Sequence, residues 1–202
     1  RITYHLDYVM SMNDENGFDN KKSFKNSTVI DDEDVIENYV LQLRAEVEPL
    51  MYNGFELRAT HVKIRGIYAY VSYNVEGATY LGGVEVFDVS DTEHPELVSQ
   101  ALFTDTDVSS MDISEDGTKL YLATATNLNE NPEFEKPAVL EVVELDDGLL
   151  TANTTRLGLR SYVATDVTIV DDIVYVTSGD NGGLTVLDAN DLSIEIAYYE
   201  LD

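Results

Sequence analysis

The sequence of 202 residues predicts an all-β fold in which a unit of four short strands is repeated. Short segments rich in Val, Ile, Tyr and Thr alternate with Gly-, Asp- and Asn-containing turns, a pattern typical of strands joined by tight connections. Four such segments recur in the same order three times after residue 57. The connections carry hairpin signals, such as Asp-Gly in "EDGTK" at 115–119. These observations favour tandem four-stranded units.

The third segment of each unit shows the repeat most clearly, because an aliphatic run is followed by acidic residues. Its three occurrences are "EVFDVSD" at 85–91, "EVVELDD" at 141–147 and "TVLDAND" at 185–191. The first segments are "ATHVKI" at 59–64, "VSSMDI" at 108–113 and "ATDVTI" at 164–169. The second segments align as "YAYVS" at 68–72, "LYLAT" at 120–124 and "VYVTS" at 174–178. The fourth are "ELVSQALF", "LLTANTTRL" and "SIEIAYYE".

Tandem four-stranded units of this length are typical of β-propeller blades. The sequence therefore predicts about three blades, at about 57–104, 105–160 and 161–202. Closed propellers contain about four blades or more, so we interpret the chain as a partial propeller. A fragment of a longer propeller is the favoured interpretation, and completion by residues 1–56 or by other chains is the alternative. An open blade face would be a surface for self-association.

Residues 1–56 do not match the repeat and are interpreted as an N-terminal arm, partly irregular, with short strands near Ile2–Tyr8. Within it, 31–49 fits two patterns. One is a helix with Val35, Ile36 and Tyr39 on one face, and the other is a strand in which Leu43, Ala45 and Val47 alternate with polar residues. We favour a strand over 39–48, added to a blade.

Composition excludes several classes of function. The formal net charge of −27, from 39 acidic and 12 basic residues, disfavours binding to nucleic acid or to anionic membranes. The charge suits a divalent cation, a basic partner or a salty environment. The absence of cysteine excludes disulfides and thiolate chemistry. The sequence contains no apolar run of about 18 residues, so no transmembrane segment is predicted. No leader is recognised before Arg1, so we interpret the chain as a processed or trimmed product.

A cluster of acidic residues and a histidine at 88–94 raises the question of a metal or catalytic site. Its two aspartates recur as acidic residues in every unit, which favours a structural turn, because Asp side chains accept hydrogen bonds from turn N–H groups. The residues assigned to this role are Asp88, Asp91, Glu144, Asp147, Asp188 and Asp191.

The first strands carry the candidate ligand-binding residues, since such strands line the central channel of a propeller. His61, Ser110 and Asp166 hold matching positions, and Lys63, Asp112 and Thr168 lie two residues further on, on the same face. They could converge on a ligand in the channel. Alternatively, they bond one another and channel water.

No motif for a cofactor or a metal stands out, so we expect no cofactor, no metal site and no catalytic residues. The stretch 112–123 has Asp112, Ser114 and Asp116 at calcium-loop offsets, but Ala123 stands where the loop needs Glu. Weak Ca²⁺ binding remains an expectation for "GDNGG" at 179–183 and for the acidic arm at 1–20.

The first unit resembles the LVIVD-repeat family, bacterial β-propeller proteins often found as secreted or surface lipoproteins. The motif pairs the aromatic strand Tyr68–Val71 with a turn carried here by Phe87–Asp91 and Pro95, although Thr92 replaces the family's first proline. The later units lack the prolines, and the resemblance spans 59–202. It implies a propeller, an extracellular or cell-envelope location and no established catalytic activity.

The sequence thus predicts a non-catalytic binding or scaffold module whose partner is a protein or surface ligand. Recognition is expected in the loops between second and third strands, which vary most: "YNVEGATYLGG", "NLNENPEFEKP" and "GDNGG". Two alternatives stay open. One is an enzyme or metal-binding propeller with His61, Asp112 and Asp166 at the channel mouth, and the other is a subunit of an extracellular assembly.

Overall fold

The computed structural model describes residues 2–6 and 42–200, and within these ranges it contains strands and turns and no helix. The all-β prediction is therefore confirmed for this part of the chain. Since no helix is found there, none is long and apolar enough to cross a membrane.

Two small sheets lie in the N-terminal part of the chain. Strands β1 (Ile2–Leu6) and β2 (Gln42–Val47) form a two-stranded sheet, and β3 (Met51–Tyr52) pairs with β4 (Phe55–Glu56). The strand favoured over 39–48 is found at Gln42–Val47, and a short N-terminal strand at Ile2–Leu6. The expectation that the strand at 39–48 is added to a blade is wrong for the described residues, because β2 pairs with β1 and with no strand of the four-stranded sheets. The polar stretch and the alternative helical residues at 7–41 lie outside the described residues.

Three four-stranded antiparallel sheets follow, each with its strands in sequential order. Sheet I contains β5 (Arg58–Arg65), β6 (Tyr68–Asn74), β7 (Gly82–Asp88) and β8 (Glu96–Phe103). Sheet II contains β9 (Thr106–Ile113), β10 (Lys119–Thr126), β11 (Ala138–Asp146) and β12 (Leu149–Gly158). Sheet III contains β13 (Ala164–Val170), β14 (Ile173–Ser178), β15 (Gly183–Asp188) and β16 (Glu195–Glu200).

Cross-strand pairing corrects the alignment of the second strands by one residue. Tyr70, Tyr121 and Tyr175 hold the same position, because each lies opposite the equivalent valine of its third strand: Val86, Val142 and Val186. The sequence alignment instead matched Tyr70 with Leu122 and Val176. The error has a physical reason: β6 and β10 are buried on both faces, so they lack the alternation of polar and apolar residues that fixes register.

Two apolar clusters hold the sheets together. The cluster between sheets I and II includes Tyr70, Val86, Met111, Leu122 and Val143. The cluster between sheets II and III is built in the same way, and its members include Tyr121, Leu140, Val142, Val167, Val176 and Leu187. Full burial of one Val or Leu side chain contributes about 1.5–3 kcal/mol, so face-to-face packing of consecutive sheets is the main source of stability.

Tight turns fix the strand order within each sheet. Asp147 and Gly148 join β11 to β12 with φ angles of 50° and 81°, and Asp171 and Asp172 join β13 to β14 with φ angles of 49° and 61°. Two consecutive positive φ angles are characteristic of the type I′ turn, whose twist matches that of the flanking strands.

Candidate functional site

The first strands of the three sheets lie side by side, with β9 in contact with both β5 and β13. Each is an edge strand of its sheet, so half of its backbone groups have no partner within the sheet. The six residues predicted as channel candidates project from these strands. The structure brings them together in two rows.

The first row joins His61, Ser110 and Asp166. The hydroxyl of Ser110 donates to Oδ1 of Asp166, and its oxygen lies 3.3 Å from Nδ1 of His61. The backbone N–H of Met111 donates to the same Nδ1 at 3.1 Å, so this nitrogen carries a lone pair and the ring proton sits on Nε2. The imidazole thus accepts from the backbone of the next sheet.

This row is not a nucleophilic triad. In a serine triad the imidazole accepts the serine proton while a carboxylate orients the opposite ring nitrogen. Here the carboxylate of Asp166 accepts the hydrogen bond from the Ser110 hydroxyl, and Nδ1 of His61 already accepts from a backbone N–H. Ser110 is also buried. This arrangement therefore does not activate the hydroxyl of Ser110 as a nucleophile.

The second row is centred on the buried carboxylate of Asp112. Nζ of Lys63 lies 2.7 Å from Oδ1, and the hydroxyl of Thr168 donates to Oδ2 at 3.1 Å. The backbone N–H groups of Ile113 and Ile169 donate at 2.8 and 2.9 Å. Burial raises the pKa of Asp112, but Lys63 and these donors outweigh it and hold the pKa below its usual value.

Sequence reasoning missed that these side chains serve the backbone edges of the neighbouring sheet. The hydroxyl of Thr60 donates to the backbone carbonyl of Val108 at 2.8 Å, and His61 and Asp112 accept from the N–H groups of Met111 and Ile169. Sheets I and II thus each satisfy edge groups of the sheet that follows. The signal was present as polar residues at matching positions, but only the pairing shows their acceptors and donors.

Most polar atoms of the two rows already have a hydrogen-bond or ion-pair partner, so few remain to bind a ligand. Among the described residues no group of three or more His, Asp or Glu side chains is placed to hold a metal ion. The calcium-loop residues Ser114 and Asp116 bond each other and Thr118 instead.

The turn aspartates of sheets I and III contact the backbone two residues on. Asp88 and Asp188 accept from the N–H groups of Ser90 and Asn190, each at 2.8 Å. Asp91 accepts from Glu93 at 2.9 Å, and Asp191 from the N–H of Ser193 at 3.0 Å. These contacts stabilise the same turn at both places. The hydroxyls of Ser90 and Ser193, and then these backbone N–H groups, lower the pKa of Asp88 and Asp191.

The turn role does not extend to sheet II in the same form. Glu144 lies within β11, where its carboxylate accepts from the side chain of Asn153 at 2.9 Å, so the assignment of Glu144 to a turn was wrong. Asp147 occupies the two-residue turn through its positive φ angle. The physical reason is that the β11–β12 connection is shorter, which leaves no turn N–H for a preceding acidic side chain.

Glu93 and His94 lie at an exposed turn tip. Nδ1 of His94 lies 2.9 Å from Oδ2 of Asp91, and this contact raises the pKa of His94 and lowers that of Asp91. Both side chains are exposed to solvent, and among the described residues no third acidic or histidine side chain joins them to hold a metal ion.

A second polar network, which sequence reasoning missed, anchors the connection between β10 and β11. The guanidinium of Arg156 donates to the side-chain oxygen of Asn131 at 2.5 Å and to Thr126 at 3.0 Å. Asn131 in turn donates to Asp105 at 2.8 Å, and Glu141 lies 3.4 Å from Nε of Arg156. Burial raises the pKa of Glu141, which Arg156 partly counters. An acidic residue inside the apolar run "AVLEVV" was the available signal.

No protein-family model matches the chain, and no curated protein matches it in sequence. The resemblance to LVIVD repeats therefore stays a prediction.

Proposed function

We propose that residues 57–202 are three blades of a β-propeller and that the protein is a non-catalytic binding or scaffold module. Three consecutive meander sheets, stacked face to face with their first strands side by side, support the propeller. The polar groups on those first strands support the non-catalytic role, since they bond one another and the backbone. This pairing is the observation that carries the proposal.

Recognition is assigned to the loops between second and third strands. The longest, at 127–137, is anchored by the hydrogen bond from Arg156 to Asn131 of the loop. The ring of Phe134, in the same loop, lies 5.0 Å from the guanidinium carbon of Arg156. A loop fixed in this way loses little entropy on binding. Its exposed side chains include Glu130, Glu133 and Glu135.

The neighbouring loops add further acidic groups, Asp180 and Glu76, of which Glu76 pairs with Arg58 at 2.7 Å. A partner with positive charge at its contact surface fits this rim, because complementary charge raises the association rate and selects against acidic partners. We therefore propose a protein or surface ligand with basic groups. The cell-envelope or extracellular location rests on the family resemblance alone.

A test of the recognition loops uses peptides selected from a random displayed library on the immobilised chain. We expect the variant E130Q/E133Q/E135Q to lose affinity for the selected peptides. The matched control, E93Q/E96Q/E115Q, removes the same charge from two exposed turns and from the exposed first residue of β8, all at the opposite ends of the strands. Equal loss in both variants would mean that binding follows net charge and would overturn the assignment to these loops.

The non-catalytic role is tested separately by elemental analysis of the purified protein. We expect no stoichiometric transition metal. A bound metal that is lost on His61→Ala would replace the scaffold proposal with a metal site on the first strands.

A further inference from the structure

The recognition loop of sheet I, at 75–81, is held against the first strand of sheet II by one carboxylate. The backbone N–H of Leu81 donates to Oδ1 of Asp107 at 3.0 Å, and this hydrogen bond joins the two sheets. The N–H of Val75 donates to the carbonyl of Leu81 at 3.0 Å, so the two ends of the loop meet at this residue. The side chain of Leu81 is 3% exposed, so the closed loop also buries apolar surface.

Asp107 has few partners for a carboxylate in a half-buried position. From the described residues it accepts one hydrogen bond, the one from Leu81. Asp112, on the same strand, is buried and yet ionised, because Lys63, a hydroxyl and two backbone N–H groups surround it. An ionised carboxylate is stable away from water only with such partners. The charged form of Asp107 therefore depends on water, and the burial of this position limits the access of water.

The charged side chains of the surrounding elements have partners of their own. These pairs are Arg58 with Glu76 at 2.7 Å, Asp105 with Asn131 at 2.8 Å, and Arg156 with Glu141 at 3.4 Å. On β10, the residue opposite Asp107 is the uncharged Ala125. The titratable side chains at this end of sheet I include the phenols of Tyr73 and Tyr80. Burial raises the pKa of Asp107 to about 6, the N–H of Leu81 partly counters it, and no charged group is among the causes.

We propose that Asp107 controls the closure of the recognition loop 75–81 in response to pH. Protonated Asp107 holds the loop closed against sheet II. Loss of the proton favours an open loop, in which water supplies the donors that the carboxylate lacks in the closed one. The proposal rests on the recognition role proposed for the loops and adds a means by which one of them is regulated.

The direction of the response follows from proton linkage. With the loop closed, the pKa of Asp107 is raised to about 6. A hydrated aspartate in the open loop titrates near its ordinary value of about 3.9. The ratio of open to closed loop therefore rises with pH between about 4 and 6 and is constant above this range. A difference of about two pKa units sets an upper limit of about 100-fold, and because Asp107 is only half-buried we expect a change of about 10- to 100-fold.

Amide hydrogen exchange of the whole chain, resolved by NMR, measures loop opening at single residues. We expect the protection factor of the Leu81 N–H to fall by about 10- to 100-fold between about pH 4 and about pH 7. The matched control is the N–H of Asn127, at the base of the loop 127–137, which donates to the backbone carbonyl of Asp105 at 2.8 Å. A backbone carbonyl does not titrate in this range, so the protection factor of Asn127 should stay constant.

Two variants separate the role of Asp107 from that of charge in general. Asp107→Asn keeps an acceptor for Leu81 without a titrating group, so the protection of Leu81 should be high at both pH values. Glu76→Gln removes a charge from the loop itself and should keep the wild-type response. A protection factor of Leu81 that is independent of pH, that changes equally at Asn127 or in Asp107→Asn, or whose response is lost in Glu76→Gln would overturn the proposal. Exchange is measured on the free chain, so this failure is distinguishable from failure of the peptide-binding assay.

Discussion

At the scale of single residues, the buried and turn carboxylates of the described residues act mainly through the hydrogen bonds that they accept. Asp112 is buried yet ionised, because Lys63, Thr168 and two backbone N–H groups surround it. Asp107 is half-buried with one donor, the N–H of Leu81 at 3.0 Å, and burial raises its pKa to about 6. The number of donors decides whether a carboxylate stabilises the fold.

Replacing Asp112 by Ala removes four contacts and leaves the N–H of Ile169 without its acceptor. We expect a loss of about 2–4 kcal/mol in the free energy of unfolding at pH 7, measured by urea denaturation. Since the pKa of Asp112 is lowered in the folded state, its contribution is present above pH 3.8 and is lost as pH falls through the folded pKa. The difference from wild type should therefore shrink in acid. A loss that is unchanged at pH 3 would show that charge plays no part.

Replacing Asp107 by Asn should stabilise the protein at pH 7, because Asn keeps an acceptor for Leu81 and removes a desolvated charge. A folded pKa raised to about 6 means that the ionised group costs stability progressively as pH rises from about 4 through 6. After allowance for solvent screening, the gain at pH 7 is about 1–2 kcal/mol. The gain should disappear at pH 4, and an equal gain at both values would contradict this origin.

The turn aspartates give a prediction in which the chain supplies its own control. Asp88→Ala and Asp188→Ala should each lower Tm by about 2–3 °C, since each removes the acceptor for a turn N–H. Glu144→Ala should leave Tm nearly unchanged, because Glu144 contacts only the exposed Asn153 through its side chain. Equal shifts for all three residues, recorded by differential scanning calorimetry, would remove the distinction between turn and strand positions.

At the scale of elements, the packing of one sheet on the next depends on close approach at the start of the third strand. A Cβ atom at Gly82 would lie 2.6 Å from the carbonyl oxygen of Thr106 and 2.9 Å from the backbone nitrogen of Val108. Both atoms belong to β9 of the following sheet. A glycine here lets the end of β7 contact the backbone of sheet II directly.

Gly82→Ala is therefore expected to cost about 1–3 kcal/mol, because backbone atoms must shift to admit the methyl group. Gly158→Ala is the matched control, since its nearest neighbour is the side chain of Phe134 at 3.0 Å, which can move. The comparison is made by urea unfolding. If the two variants lose the same free energy, close approach between sheets I and II is not the cause.

At the scale of the whole molecule, net charge is the dominant electrostatic property. With 39 acidic and 12 basic residues, repulsion within the folded chain outweighs the attraction of the ion pairs among the described residues. Salt screens exposed charges with a Debye length of about 10 Å at 0.1 M. Added salt should therefore stabilise the compact state.

We expect Tm to rise by several degrees between about 20 mM and 500 mM NaCl. The triple variant E130Q/E133Q/E135Q should show a smaller rise, because less repulsion remains to be screened. Thermal unfolding at several salt concentrations measures both slopes. A Tm that falls with salt would mean that attractive pairs, such as Lys63 with Asp112, dominate over repulsion.

Much of the architecture could be read from sequence, because strand segments and turn residues are local signals. The four segments of each repeat correspond to strands, and the candidate residues of the three first strands were aligned at equivalent positions. The register of the second strands could not be read, since β6 and β10 are buried on both faces. Glu144 was misplaced because a repeat alignment cannot show that one turn is shorter than its equivalents.

The sequence by itself determined the β class, the repeat, the excess of negative charge and the residues at which polar side chains recur. These follow from local propensity and composition, which need no knowledge of distant contacts. Only the tertiary structure decided which groups the recurring side chains bond. Asp112 and His61 accept from backbone N–H groups of the next sheet, and Tyr70 and Tyr121 donate to carbonyl groups in the turn after the third strand of the next sheet. Those partners are about 50–80 residues away along the chain, and no local pattern determines a contact at that separation.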